Sequence, residues 1–214
     1  MGTAYRVSLF LILIAFSSAA NGLNIHRPLA DTSSFVLVKK ADGILLYERW
    51  RPFAHDVLAR EIKATFTIRA TANAAVALMK DASKGKQWNR NTCSYKVFDL
   101  SESSWTSYVQ YDLPWPVSNQ DCVLQYEEIV RPDTISVFFK GISHPMFPET
   151  NRIQRIHELR GRWVFIKTEN EYFVEYFITT TPSKSLPGWV TDPIIRNNLV
   201  ETLVSFRSLV EELN

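Results

Sequence analysis

The stretch Ile195-Arg-Asn-Asn-Leu199-Val-Glu-Thr-Leu203-Val-Ser-Phe206-Arg-Ser-Leu-Val210-Glu-Glu-Leu213 decides the fold. Its apolar residues Ile195, Leu199, Leu203, Phe206, Val210 and Leu213 recur at steps of 4, 4, 3, 4 and 3. That spacing predicts one long C-terminal helix with a single buried stripe, and Arg196, Glu201, Arg207 and Glu211 fall elsewhere on it. Pro193 is expected in its first turn, where a missing N–H does no harm. Such a helix needs an apolar surface to lie on, and the preceding chain supplies one in strands.

Phe35–Lys39, a turn at Ala41-Asp42-Gly43, and Ile44–Trp50 predict a hairpin. Arg60–Ala70 alternates, with Ile62, Ala64, Phe66 and Ile68 on one side and Lys63, Thr65, Thr67 and Arg69 on the other. Thr71–Ser83 changes to a helical period, capped by Thr71, with a stripe of Ala75, Leu78, Met79 and Ala82, and Lys84-Gly85-Lys86 ends it. Seven strands are then expected at short spacing: Cys93–Leu100, Trp105–Leu113, Asp121–Val130, Thr134–Lys140, Asn151–Leu159, Arg162–Thr168 and Tyr172–Thr180. Connections this short force antiparallel pairing of consecutive strands. The expected architecture is α+β, a curved antiparallel sheet wrapped around the C-terminal helix.

Composition narrows the function classes. The chain has 214 residues, 46% of them hydrophobic and 13% aromatic, with a net charge of +2. The weak, interspersed charge argues against nucleic acid. Residues 1–20 read as a secretory signal peptide: Arg6, an apolar run Val7–Phe16, then Ser17, Ser18, Ala19 and Ala20. Residues 21–34 read as a flexible segment, and 35–214 as the folded domain. The minimal signal and the lack of a glycosylation sequon place the expected site of action in a bacterial periplasm, with secretion elsewhere as the alternative. Cys93 and Cys122 fall on strands separated by a third, too far apart for a disulfide, so both are expected free and mostly buried.

Several local strings carry a resemblance. They are Trp88-Asn89, Tyr111-Asp-Leu-Pro114-Trp-Pro116-Val-Ser-Asn-Gln120-Asp121-Cys-Val123, Arg155-Ile-His-Glu-Leu-Arg-Gly161-Arg-Trp163 and Leu186-Pro187-Gly-Trp189. In this order and spacing, over Phe35–Leu213, the chain resembles the START (StAR-related lipid transfer) domain of the helix-grip superfamily, as a bacterial START-like member. Gln120 stands where the family has an arginine, and Cys122 where it has a phenylalanine. The resemblance implies a tunnel between sheet and last helix that binds or transfers sterols, phospholipids or sphingolipids. It also implies that Arg155 points into that cavity.

The residues themselves agree on one point. Tyr172, Val174, Tyr176 and Ile178 alternate with Phe173, Phe177 and one acid, Glu175, so this strand is apolar on both faces and its second face must be covered by helix, partner or ligand. Candidate ligand-binding residues are Trp88, Tyr111, Asp121, Arg155, Trp163, Tyr176, Leu203 and Phe206. A buried Arg155 needs an acid, for which Asp121 and Glu175 are the candidates. Trp115 is expected to pack within its loop, His157-Glu158 to be exposed polarity on a strand edge, and Gly141–Thr150 is a candidate gate.

No hydrolase, metalloprotease, phosphate-loop or dinucleotide motif occurs, and the four histidines lie at no metal-ligand spacing, so no catalytic residue, metal or cofactor is assigned. The expected partner is a hydrophobic small molecule or lipid, with transient membrane contact and no nucleic acid. The alternative is an aromatase/cyclase- or hydrolase-type enzyme on the same scaffold, drawing on Arg155, Asp121 and Glu175. A third reading is a partner-binding module with an exposed apolar patch.

Overall fold

In the computed structural model, residues 34–52, 58–113, 115, 117–180 and 188–213 are described, with 188–190 as backbone alone. The expected signal peptide over 1–20, nearly all of the 21–34 segment, Pro114, Pro116 and Leu186-Pro187 lie outside them.

The chain opens with β1 (Val36–Ala41), β2 (Ile44–Pro52) and β3 (Leu58–Ile68), which pair in sequence. Asp42 and Gly43 turn the first hairpin, both at positive φ (48° and 75°), the combination that matches strand twist in a two-residue loop. Helix α1 (Ala72–Lys80) follows, and the Thr71 hydroxyl accepts from the Ala74 N–H at 3.1 Å as its cap. Ala75, Leu78 and Met79 are buried as the stripe requires, but Ala82 lies past the helix end and is exposed. Lys84-Gly85-Lys86 does not simply end the helix. It opens a second one, α2 (Gly85–Trp88), which carries Trp88 into the core.

The remaining strands are β4 (Thr92–Phe98), β5 (Ser104–Tyr111), β6 (Gln120–Arg131), β7 (Thr134–Gly141), β8 (Gln154–Arg155), β9 (Arg160–Lys167) and β10 (Tyr172–Thr180). They form one ten-stranded sheet in the order β1-β2-β3-β10-β9-β7-β6-β5-β4. Strand β8 is two residues long, whereas the alternation in Asn151–Leu159 suggests nine, and it pairs in parallel with β6, against the expectation of antiparallel neighbours throughout. The segment before it crosses the sheet face, so its backbone is not free to join a ladder. Both outermost strands carry a register break, between Leu37 and Lys39 in β1 and between Thr92 and Ser94 in β4.

Helix α3 (Gly188–Glu212) lies on the inner face of this sheet and completes the helix-grip α+β fold. Val200, Leu203, Phe206 and Val210 are buried, whereas Ile195 (40% exposed) and Leu213 (47%) at the ends of the expected stripe are not. Pro193 is the sixth helical residue, beyond the first turn, so the carbonyl of residue 189 loses its intrahelical donor.

Candidate functional site

Strand registers decide which side chains share the inner face. Leu46, Ala64, Tyr176, Trp163 and Val137 stand in one row across β2, β3, β10, β9 and β7. Tyr126 and Trp105 continue the same face on β6 and β5. All are buried in the core cluster, and α3 meets them with Phe206. The Phe206 ring lies 4.8 Å from Trp163 and 5.2 Å from Trp88, and Trp163 lies 4.5 Å from Tyr176. Gly161, on β9 two residues before Trp163, makes room for this arrangement. A Cβ there would sit 2.4 Å from the Phe139 ring, which occupies the space.

Six of the eight predicted residues therefore converge: Trp88, Tyr111, Trp163, Tyr176, Leu203 and Phe206 all belong to or pack on the inner core. The inner face is also studded with neutral polar groups. The Tyr111 hydroxyl accepts from Asn89 Nδ2 at 3.3 Å, and Ser107 Oγ donates to the Tyr126 hydroxyl at 3.4 Å. Burial pushes the Cys122 thiol up to about 12 and holds the phenols of Tyr95, Tyr111, Tyr126 and Tyr176 well above the usual tyrosine value. At neutral pH these groups are proton-bearing donors, not bases. The Trp88 indole N–H is buried with no acceptor among the described residues.

The other two predicted residues, Asp121 and Arg155, form a pair on the opposite face. Asp121 is out of phase with Cys122 and Leu124, which face the core. It accepts from Arg155 Nε at 2.6 Å and Nη2 at 2.9 Å, and from the Tyr108 hydroxyl at 3.2 Å. Arg155 Nη2 also donates to the Phe147 carbonyl at 3.0 Å, and the Phe147 ring stacks on Tyr108 at 4.2 Å. The expected partner is thus correct and the expected direction is not: Arg155 clamps the crossing segment 142–153 onto the outer face, away from α3. Its hydrogen bonds to Asp121 raise its already high pKa. Glu175, the other candidate acid, pairs with Lys63 at 2.7 Å.

Sequence reasoning missed a four-residue charge cluster at the start of α3. Arg196 donates twice to Glu48, at 2.7 and 2.9 Å, and Arg60 donates to Asp192 at 2.6 Å. Arg60 and Glu48 are themselves 3.9 Å apart, and each is about 5% exposed. The signal was present: Glu48 shares the phase of Leu46, and Arg60 that of Ile62, so both strands place a charge in an apolar row. Lys39 with Asn197 and Asn91 with Asn198 add polar ties along the same half of the helix.

Four smaller expectations change. Trp115 does not pack, being 90% exposed. His157 lies off any strand, 3.3 Å from Glu149, and His144 packs on Phe98 with ring centres 4.9 Å apart. The second apolar face of β10 is covered by the chain's own cations: Arg162 lies 4.1 Å and Lys63 5.6 Å from the Phe177 ring. Cys93 and Cys122 are free thiols on β4 and β6 with β5 between them, yet Cys93 is exposed.

With the geometry in hand, the fold has clear counterparts. A STAR-related lipid transfer protein fragment from Xanthomonas axonopodis superposes with a TM-score of 0.71 at 24% identity, over 82% of this chain and 98% of that one. Human StAR-related lipid transfer protein 5 gives 0.67 at 16% identity, over 86% and 90%. The Zhui aromatase/cyclase of a Streptomyces strain gives 0.53 at 11% identity, over 72% and 94%. The chain has the START-type helix-grip fold. In sequence, it is 24% identical over 180 residues to an uncharacterized protein of Pseudomonas aeruginosa, covering 82% of this chain and 86% of that one. No family model matches the chain.

Proposed function

We propose that this protein binds one hydrophobic ligand of lipid size between the inner sheet face and α3, and that it carries the ligand without transforming it. The observation that supports this most is the uneven attachment of α3. Its C-terminal half is held by apolar packing through Val200, Leu203, Phe206 and Val210, and its N-terminal half by Arg196, Asp192 and the asparagines on polar partners. The rings of Trp88, Trp163 and Phe206 stand in contact, so a ligand enters by displacing the N-terminal half while the C-terminal half stays seated. An apolar tail burying about 400 Å² would gain on the order of 10 kcal/mol before ordering terms.

Binding is favoured over catalysis by the chemistry of the inner face. Among the described residues its strand carboxylates, Glu48 and Glu128, each hold a cation, at 2.7 Å in both cases. The phenols and the Cys122 thiol stay protonated, which leaves no free base among them. The STAR-related lipid transfer proteins among the structural neighbours support the same reading. Export directed by residues 1–20, action in the periplasm and transient contact with a membrane during loading complete the proposal.

The test is native mass spectrometry of the full chain after mild purification from its own cells. The expected species is heavier than the polypeptide by one amphiphile, which organic extraction then identifies. A species of polypeptide mass alone, whose unfolding temperature no added lipid raises, would overturn the proposal.

A further inference from the structure

The outer sheet face carries a feature that the inner site does not use. The registers of β10, β9, β7 and β6 set Thr179, Arg160, Lys140 and Gln125 in one row, and Phe177, Arg162, Phe138 and Glu127 in the next. Arg160 thus stands directly opposite Lys140, with Arg162 one step along on the same face. Like charges facing one another across strands destabilise a sheet, and an ordinary solvated face places an acid in one of the two positions. The acid nearest on β3 is taken: Glu61 accepts from Arg49 at 2.6 Å and lies 3.7 Å from Arg51. Among the described residues, neither Lys140 nor Arg162 has a carboxylate partner.

These cations border a groove of about 1060 Å³ whose floor is the buried Phe177 ring and whose rim includes Phe138, 40% exposed. Arg162 is held over Phe177 at 4.1 Å, which fixes its guanidinium at the groove wall. A flat bilayer cannot reach the floor of a concave groove, whereas a single molecule can. Two guanidiniums and an ammonium around one point match a doubly charged, oxygen-rich head, and the exposed ring offers an apolar body a place to lie.

We propose that this groove is a second binding site, for a phosphate monoester carried on an apolar body, with the head on Lys140, Arg160 and Arg162 and the body against Phe138. The sheet separates it from the site beneath α3, so the two sites bind independently. The same chemistry is offered by a soluble phosphate ester and by the head of a single phospholipid of the phosphatidic acid type.

Calorimetric titration of the full chain with n-octyl phosphate, below its micelle concentration, tests this. One molecule per chain should bind, and affinity should fall by at least about tenfold in the double variant Lys140→Gln, Arg162→Gln and with rising salt. The uncharged n-octyl glucoside should be insensitive to that variant, which separates this groove from the inner site. Inorganic phosphate should bind at least about tenfold more weakly, because it lacks the body that meets the ring. The variant should unfold no earlier than the parent, since it relieves a like-charge contact. Unchanged octyl phosphate affinity in the folded variant would overturn the proposal, as would inorganic phosphate binding equally well. So would loss of capture by phosphatidic acid vesicles in the variant without any binding of octyl phosphate, which would assign the patch to a membrane surface.

Discussion

Asp121 and Arg155 are both nearly enclosed, with 7% and 4% of their side chains exposed, and each depends on the other. Replacing Asp121 by Asn keeps the shape and removes the charge, leaving a buried guanidinium with only the Phe147 carbonyl as a full acceptor. The expected loss is about 3–5 kcal/mol in urea unfolding, with segment 142–153 becoming the first site of proteolytic cleavage. That the arginine needs an acid, and that Asp121 is available, can be read from the sequence because an unpaired buried cation is not tolerated. Its face cannot. Asp121, Val123 and Gln125 alternate with Cys122, Leu124 and Tyr126, but Val123 is apolar too, so the phase of β6 is blurred at the point that matters. Trp115 escapes for another reason, since a large aromatic between prolines carries no pattern that distinguishes a packed ring from a bare one.

At the scale of elements, α3 is one helix under two kinds of restraint. Glu48→Gln removes the bidentate partner of Arg196 and one neighbour of Arg60 while leaving every apolar contact in place. Amide exchange over residues 194–199 should then accelerate by at least about tenfold, with residues 200–210 unchanged, and ligand exchange should quicken in step. Uniform acceleration along the helix would show that the two halves open together. The 4-4-3-4-3 spacing makes the helix legible, because a stripe that keeps this period over five turns suits neither a strand nor a loop. Its ends are harder to read, since Ile195 follows the same period over a part of the sheet where Glu48 and Arg60 replace apolar residues. Strand β8 is shorter than its pattern suggests because the alternation in Asn151–Leu159 belongs to a segment crossing the sheet face, not to a ladder.

For the whole molecule, buried protonated groups set a limit at high pH. The Cys122 thiol titrates near 9.0 when exposed and at about 12 in the fold, so above pH 9 the unfolded chain holds fewer protons than the folded one. Stability is then intact below pH 9 and declines toward pH 12, by roughly 4 kcal/mol from this thiol at the upper end. The four buried tyrosines add to the decline above pH 10. Circular dichroism and phenolate absorbance should therefore change together in one cooperative alkaline transition. Hairpin-sized connections make the local pairs β1–β2, β4–β5–β6–β7 and β9–β10 legible. The closures of β3 on β10 and of β7 on β9 are not, because they join segments whose partners only the packed helix selects.

The two outermost strands govern behaviour at high concentration. A ten-stranded sheet with open margins presents two rows of backbone donors and acceptors on which a neighbour's strand could extend it. Here each margin is interrupted by its register break, and the first also carries Lys39 and Lys40. An incoming chain would meet a kink on one flank, and a kink with two positive charges on the other. The protein can thus keep a broad sheet in crowded surroundings without seeding its own polymer.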